Sequence, residues 1–216
     1  MVYVLFSRPE HDVPVSYLYY YSGELVKLSN ELGHKTLNKE KKESNKQNIT
    51  KIIRLQKPLL IMFNGHGNDI TIFGHNDEVI ISSDDNPELL SNTITYSLTC
   101  SSAAVLGPIA VKKGALCFIG YHSDFALGRD PDSEAVPRRD KIASLFLEPS
   151  NLLFSSLLRG VNVKESLEKA KKKMLDNIWF LNTTDKLNAS YYAPFLFGNY
   201  IGLTAHGDEE ASIKQV

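Results

Sequence analysis

Pro58–Leu59–Leu60–Ile61–Met62–Phe63–Asn64–Gly65–His66–Gly67 decides the fold. Leu59 to Phe63 is an unbroken apolar run behind a proline, and it stops at a histidine held between two glycines. An apolar run without alternation suits a strand buried on both faces, as in a parallel sheet covered by helices. Gly65 and Gly67 end the strand and turn the backbone. His66 is therefore predicted at the carboxyl edge of a strand, where open α/β sheets hold their ligand crevice. Flanking glycines let a substrate approach the backbone and leave amide N–H groups unobstructed. The plain alternative is a loop histidine without a role.

A second stretch, Thr93–Ile94–Thr95–Tyr96–Ser97–Leu98–Thr99, is β-branched and aromatic and reads as another buried strand. It ends at Cys100–Ser101–Ser102–Ala103–Ala104, small residues that are expected to open a helix running to about Lys113. Cys100 then lies near a helix N-terminus, which lowers a thiol pKa and favours thiolate. If the two strands are neighbours, His66 and Cys100 emerge on one edge of the sheet. A thiol with an adjacent base is the minimal unit for acyl transfer. The alternative is a structural cysteine acting as a small apolar residue. Cys117, inside Ala115–Leu116–Cys117–Phe118–Ile119, reads as core.

The rest of the chain narrows the class. Its 216 residues are read as a single domain, 1–216. A net charge of −1 gives no basic surplus for nucleic acid. Two cysteines in such different settings make no disulfide framework and fit a reducing compartment. Met1 to Phe6 is too short for the apolar part of a signal peptide, and no stretch approaches a membrane span. A cytoplasmic protein with no nucleic-acid or membrane partner is expected.

In chain order, Val2–Phe6 reads as a strand and 16–32 as a helix capped by Gly33. The lysine-rich stretch 35–48 reads as a solvated loop. A short helix at 49–55 precedes the His66 strand, and 69–82 forms a small β-hairpin. After the Cys100 strand and its helix come a strand at 115–119 and a long loop, 121–139. Helices follow at 151–158 and from Asn162, whose partner Glu165 completes a capping box. A short strand is expected within 193–200, and the last ten residues read as a tail. This order predicts a three-layer α/β/α sandwich with a mostly parallel central sheet and a small β-hairpin insertion.

Asn64–Gly65–His66–Gly67 together with Cys100–Ser101–Ser102–Ala103 resembles the caspase–hemoglobinase-fold cysteine peptidases, most closely their CHAT and gingipain-like branches. Gly114–Ala115–Leu116–Cys117–Phe118–Ile119–Gly120, Gly160 with Val163, Glu165 and Leu167, Ala170–Lys171, and Phe195–Leu196–Phe197–Gly198–Asn199 follow the CHAT pattern. The resemblance covers roughly 57–203. The caspase Q-A-C-x-G signature is absent.

The resemblance implies a caspase-like fold and a cysteine endopeptidase. Cys100 is the implied nucleophile and His66 its general base and acid, with the backbone N–H groups of Gly67 and Cys100 as oxyanion hole. No cofactor or metal is implied, and His66, His75 and Asp69 match no compact ligand motif. No G-x-S-x-G elbow supports a serine hydrolase. The pocket for P1, the residue before the scissile bond, is implied between the loops 8–12 and 121–139. Asp124, then Asp12 or Glu10, would select a basic P1, whereas Arg8 would select an acidic one; basic P1 is favoured. Expected partners are a protein substrate and a regulatory protein or ligand activator. The competing reading is a catalytically silent CHAT-like protein-binding or adaptor module.

Overall fold

Successive side chains of the apolar runs enter two different cores. The computed structural model describes residues 1–214. In it Val4, Phe6, Leu60, Met62 and Tyr96 pack on one side of a sheet, and Leu5, Ile61, Phe63 and Phe118 on the other. Each buried large apolar side chain contributes about 1.5–3 kcal/mol relative to exposure. That is why these strands lack polar alternation.

The strands are Tyr3–Arg8 (β1), Lys35–Glu40 (β2), Leu60–Asn64 (β3), Thr71–Phe73 (β4), Val79–Ser82 (β5), Ile94–Leu98 (β6), Cys117–Tyr121 (β7) and Leu203–Gly207 (β8). Six of them form one sheet in the order β2-β1-β3-β6-β7-β8, while β4 and β5 pair as a separate hairpin. All pairings in the large sheet are parallel except β7 with β8. Helices Val13–Glu31 (α1), Lys141–Leu158 (α4) and Val163–Thr184 (α5) cover one face, with Lys186–Gly202 (α6) packed on α4 and α5. Helices Lys46–Gln56 (α2) and Leu106–Lys112 (α3), with the hairpin, cover the other. This is the expected three-layer, mostly parallel α/β/α sandwich with its hairpin insertion. Among the described residues, no helix is long and apolar enough to cross a membrane.

Strand order reverses between β1 and β3, because the chain steps outward to β2 and then returns to the opposite side of β1. Open α/β sheets have their crevice at such a switch point, outside the carboxyl ends of the strands.

Several elements differ from the sequence reading. The stretch 35–40 is the edge strand β2 rather than a solvated loop. Its pairing with β1 satisfies the backbone while every side chain stays partly or fully exposed, so its composition is that of a surface. The stretch 193–200 belongs to helix α6, and the following polar segment makes the antiparallel strand β8. The supposed tail is packed in part: Ala211 and Ile213 are buried in the main core.

The helix expected directly after Cys100 begins only at Leu106. The intervening segment is pinned across to β7 instead. Ser101 N–H donates to Ser123 O and Ala103 N–H to Tyr121 O. Ser101 itself holds a φ of 52°, outside the helical region.

Candidate active site

Each site residue follows the carboxyl end of a strand. Asp12 follows β1, His66 follows β3, Cys100 follows β6, and Asp124 and Phe125 follow β7. In the sheet β1, β3, β6 and β7 are consecutive, so the four loops are brought to one edge. Two glycines make the approach possible. Gly65 turns at φ 135°, where a Cβ would lie 3.1 Å from both Pro9 Cγ and Phe73 O. A Cβ on Gly67 would lie 2.8 Å from Thr99 and 3.1 Å from Cys100 O, so the histidine loop sits directly against the cysteine loop.

His66 is held by a carboxylate. Its Nε2 lies 2.6 Å from Asp12 Oδ2. Asp12 is also the N-cap of α1, its Oδ1 accepting from Val15 N–H at 2.8 Å. Burial pushes the Asp12 pKa up, but the hydrogen bonds from His66 and Val15 and the charges of His66 and His11 outweigh it, and the net shift is downward. Asp12 is therefore ionised and can only accept. Nε2 then carries the proton, which leaves the lone pair on Nδ1. The family resemblance implies a substrate-pocket role for Asp12; in the structure its carboxylate is engaged by His66 and the α1 cap. The N-cap pattern Asp12–Val13–Pro14 was the available signal.

Cys100 is half-buried, and its Sγ donates to Phe125 O at 3.9 Å. Burial raises the thiol pKa, Asp124 adds to the rise, and the Phe125 contact only partly offsets it. The expectation of a lowered pKa is thereby corrected: the helix expected to open at Cys100 begins only at Leu106, and burial disfavours the charged form. Cys117 is inert core, its thiol pushed up to about 12 chiefly by burial.

His66 and Cys100 line one crevice of about 110 Å³ with Gly65, Pro14, Val15, Leu18, Leu98, Thr99, Phe125 and Leu127. Its walls are apolar apart from Thr99, His66 and Cys100. The other nominated residues lie as follows. Asp124 is exposed and accepts from Ser101 Oγ at 2.7 Å. Glu10 pairs with Lys41 at 2.9 Å. Arg8 is buried, its guanidinium donating to Ser22, Asn38, Glu40 and Tyr19 O. That internal network keeps Arg8 out of the crevice. The Gly67 and Cys100 N–H groups have no hydrogen-bond partner among the described residues; at Gly67 this is because the Gly67–Ile72 bridge uses Asn68 N–H and His66 O instead.

The loop after β7 is clamped by a residue the sequence reading gave no role. Asn199 of α6 accepts from Ala126 N–H at 2.9 Å and donates to Ala126 O at 2.8 Å, between the wall residues Phe125 and Leu127.

No family model and no curated protein matches the chain. Among solved structures it is similar to a chain of the complex of Porphyromonas gingivalis RgpB pro- and mature domains, with a TM-score of 0.61 at 10% sequence identity. The match covers 97% of this chain and 47% of that one, so this chain spans about half the neighbour's length. At that identity the likeness is one of fold, relating the chain to the caspase–hemoglobinase architecture.

Proposed function

We propose that the chain is a cysteine endopeptidase in which Cys100 is the nucleophile, His66 the general base and acid, and Asp12 the residue that orients His66. The observation that carries this reading is the shared crevice of His66 and Cys100, with Nε2 of His66 fixed by an ionised carboxylate. A loop histidine without a role has no need of such a partner.

In the proposed reaction His66 Nδ1 takes the thiol proton as Cys100 Sγ attacks the peptide carbonyl carbon. The tetrahedral oxyanion is met by the Gly67 and Cys100 N–H groups, both free of partners among the described residues. The C–N bond breaks as Nδ1–H protonates the departing amine. Water then attacks the thioester, with Nδ1 taking its proton and returning it to sulfur, which restores the thiol. Because burial holds Cys100 in the thiol form, the proton leaves with attack rather than before it.

For specificity we propose a basic P1 residue. Leu98, Phe125 and Leu127 would take its aliphatic stem, and Asp124, close enough to influence the Cys100 charge, would meet its head.

The test is cleavage of fluorogenic peptides with Arg, Lys, Asp or Leu at P1 by wild type, Cys100→Ala and His66→Ala. Turnover by wild type alone supports the dyad, with losses of at least about a hundredfold in either variant. Equal turnover by all three would sink the peptidase reading. Absence of turnover, with a Cys100 no more reactive than a free thiol in the presence of peptide, would favour the silent binding module instead.

A further inference from the structure

The β4–β5 hairpin reaches the site through a histidine that the proposed peptidase chemistry does not use. His11 sits beside Asp12 in the loop after β1, its side chain only 9% exposed. Its Nε2 lies 3.3 Å from Asp77 Oδ1, at the hairpin tip. Its Nδ1 is buried and has no hydrogen-bond partner among the described residues. A carboxylate can only accept, so Asp77 draws the proton to Nε2 and leaves the lone pair on Nδ1. A buried lone pair without a donor is costly to leave unsatisfied. An imidazole whose second nitrogen is held by a carboxylate is also how proteins prepare a histidine to bind a metal.

The remaining ligands are already gathered. His11, Asp12 and His66 each bring one ligand atom within 4.8 Å of the others. The rings of His11 and His66 are 5.9 Å apart, edge to face. Asp12 and His66 are 38% and 39% exposed, so an ion can enter from solvent. Two imidazoles and one carboxylate with a position left for water is a donor set that suits zinc. We propose that His11, Asp12 and His66 form a site for a divalent cation of the zinc class, whose occupancy switches the dyad off.

The switch follows from the His66 tautomer. The cation takes the place of the proton between His66 Nε2 and Asp12 Oδ2. That proton moves to Nδ1, so no lone pair remains there to accept from Cys100. No net proton is lost, and the imidazole stays neutral. Two ligands at zinc distances stand about 3.3 Å apart, so the 2.6 Å contact must open slightly while His11 closes in. This part rests on the peptidase reading; binding of the metal does not.

Chelator-treated chain is titrated with zinc chloride by calorimetry, and with cobalt chloride by visible absorption. The variants are His11→Gln, which keeps a group able to bond Asp77, His11→Ala, and Cys100→Ser. Folding of each is checked by circular dichroism. Expected are one tight zinc site in wild type, retained in Cys100→Ser and weakened at least tenfold in both His11 variants. Absence of zinc binding, or equal binding by the folded His11 variants, overturns the site. Loss of binding in Cys100→Ser also overturns it, since the thiol would then be the ligand. Peptide turnover separates the two readings. Zinc binding without any turnover keeps the metal site and removes the peptidase. Turnover equally zinc-sensitive in wild type and His11→Gln keeps the peptidase and removes the switch.

Discussion

Asp12 holds two things at once, the start of α1 and the imidazole of His66, and the two are separable by choice of substitution. Asp12→Ala removes both, and should cost about 1 kcal/mol of stability through the lost cap, read from denaturant unfolding. Asp12→Asn keeps a good capping side chain and removes the charge. Its stability at neutral pH should lie slightly below wild type, by the charge contribution alone, while turnover falls about tenfold to a hundredfold because Nε2–H loses its anionic acceptor. Equal losses of activity and stability in both variants would reduce Asp12 to a cap. The sign of the pH effect follows from the lowered Asp12 pKa. Its stabilising contribution is complete above the ordinary aspartate range and disappears as pH falls through the lower folded value, where the wild-type advantage over Asp12→Asn should vanish. Cys100 shifts the other way. Burial, aided by Asp124, raises its pKa, so alkylation of the free protein should rise only at alkaline pH, above the usual thiol range. Asp124→Asn removes a nearby negative charge and should move that profile toward lower pH, while depressing turnover of Arg-P1 peptides relative to Leu-P1. Mass-spectrometric counting of modified Cys100 against pH checks the first, and an unmoved profile would show that Asp124 exerts no field on the sulfur. The placement of His66 and Cys100 at strand ends was legible in the sequence, since each follows an unbroken apolar or β-branched run and is flanked by glycines or small residues. The Asp12–His66 pair was not, because 54 positions of chain separate them and only the β1–β3 pairing brings them together.

Buried elements announce themselves in sequence and surface elements do not. β3 and β6 are buried along their whole length and read as unbroken apolar or β-branched runs. β2 is an edge strand, Lys–Thr–Leu–Asn–Lys–Glu, whose lysines suit an exposed edge and hide its strand character. In α6 the cluster Phe195–Leu196–Phe197 mimics a strand, yet Leu196 is buried while Phe195 and Phe197 are exposed. That face lies along a helix whose pattern gives no clear stripe. The resemblance drawn from Phe197–Gly198–Asn199 has a physical counterpart in the Asn199 clamp on Ala126. Asn199→Ala should release the loop that carries Phe125 and Leu127. The two lost hydrogen bonds should cost about 1–3 kcal/mol, and under the proposed function KM should rise more than kcat falls, because the crevice wall moves while His66 and Cys100 do not. A fall in kcat with KM unchanged would mean that the clamp acts on Cys100 through its Phe125 contact instead.

At the scale of the whole molecule, the chain end closes the core rather than trailing from it. Asp208 N–H donates to Leu116 O beside β7, and Glu209 O and Ala211 O accept from the first amides of α5, Lys164 and Val163. These α5 amides have no partners within their own helix, so the end segment acts as a backbone cap. Ala211 and Ile213 then fill the main core, and Gly160 packs closely on Lys214. The sequence hid this because Asp208–Glu209–Glu210 reads as a solvated acidic run; the charges do face water while the backbone does the capping. Deleting 209–216 should therefore expose one side of the core and orphan two helix-start amides. Removing the Ile213 side chain and those bonds together should cost about 3–5 kcal/mol. For a domain of this size that lowers Tm by about 6–20 °C. His66 and Cys100 lie at the carboxyl edge of the sheet, whereas this segment adjoins the start of β7, so under the proposed function the folded fraction should keep its turnover per molecule. Thermal unfolding and active-site titration of the truncated chain measure the two separately. A Tm within a degree or so of the full chain would return the segment to the status of a tail. A lost turnover at full stability would mean that the sheet transmits strain from the amino end of β7 to the Cys100 loop.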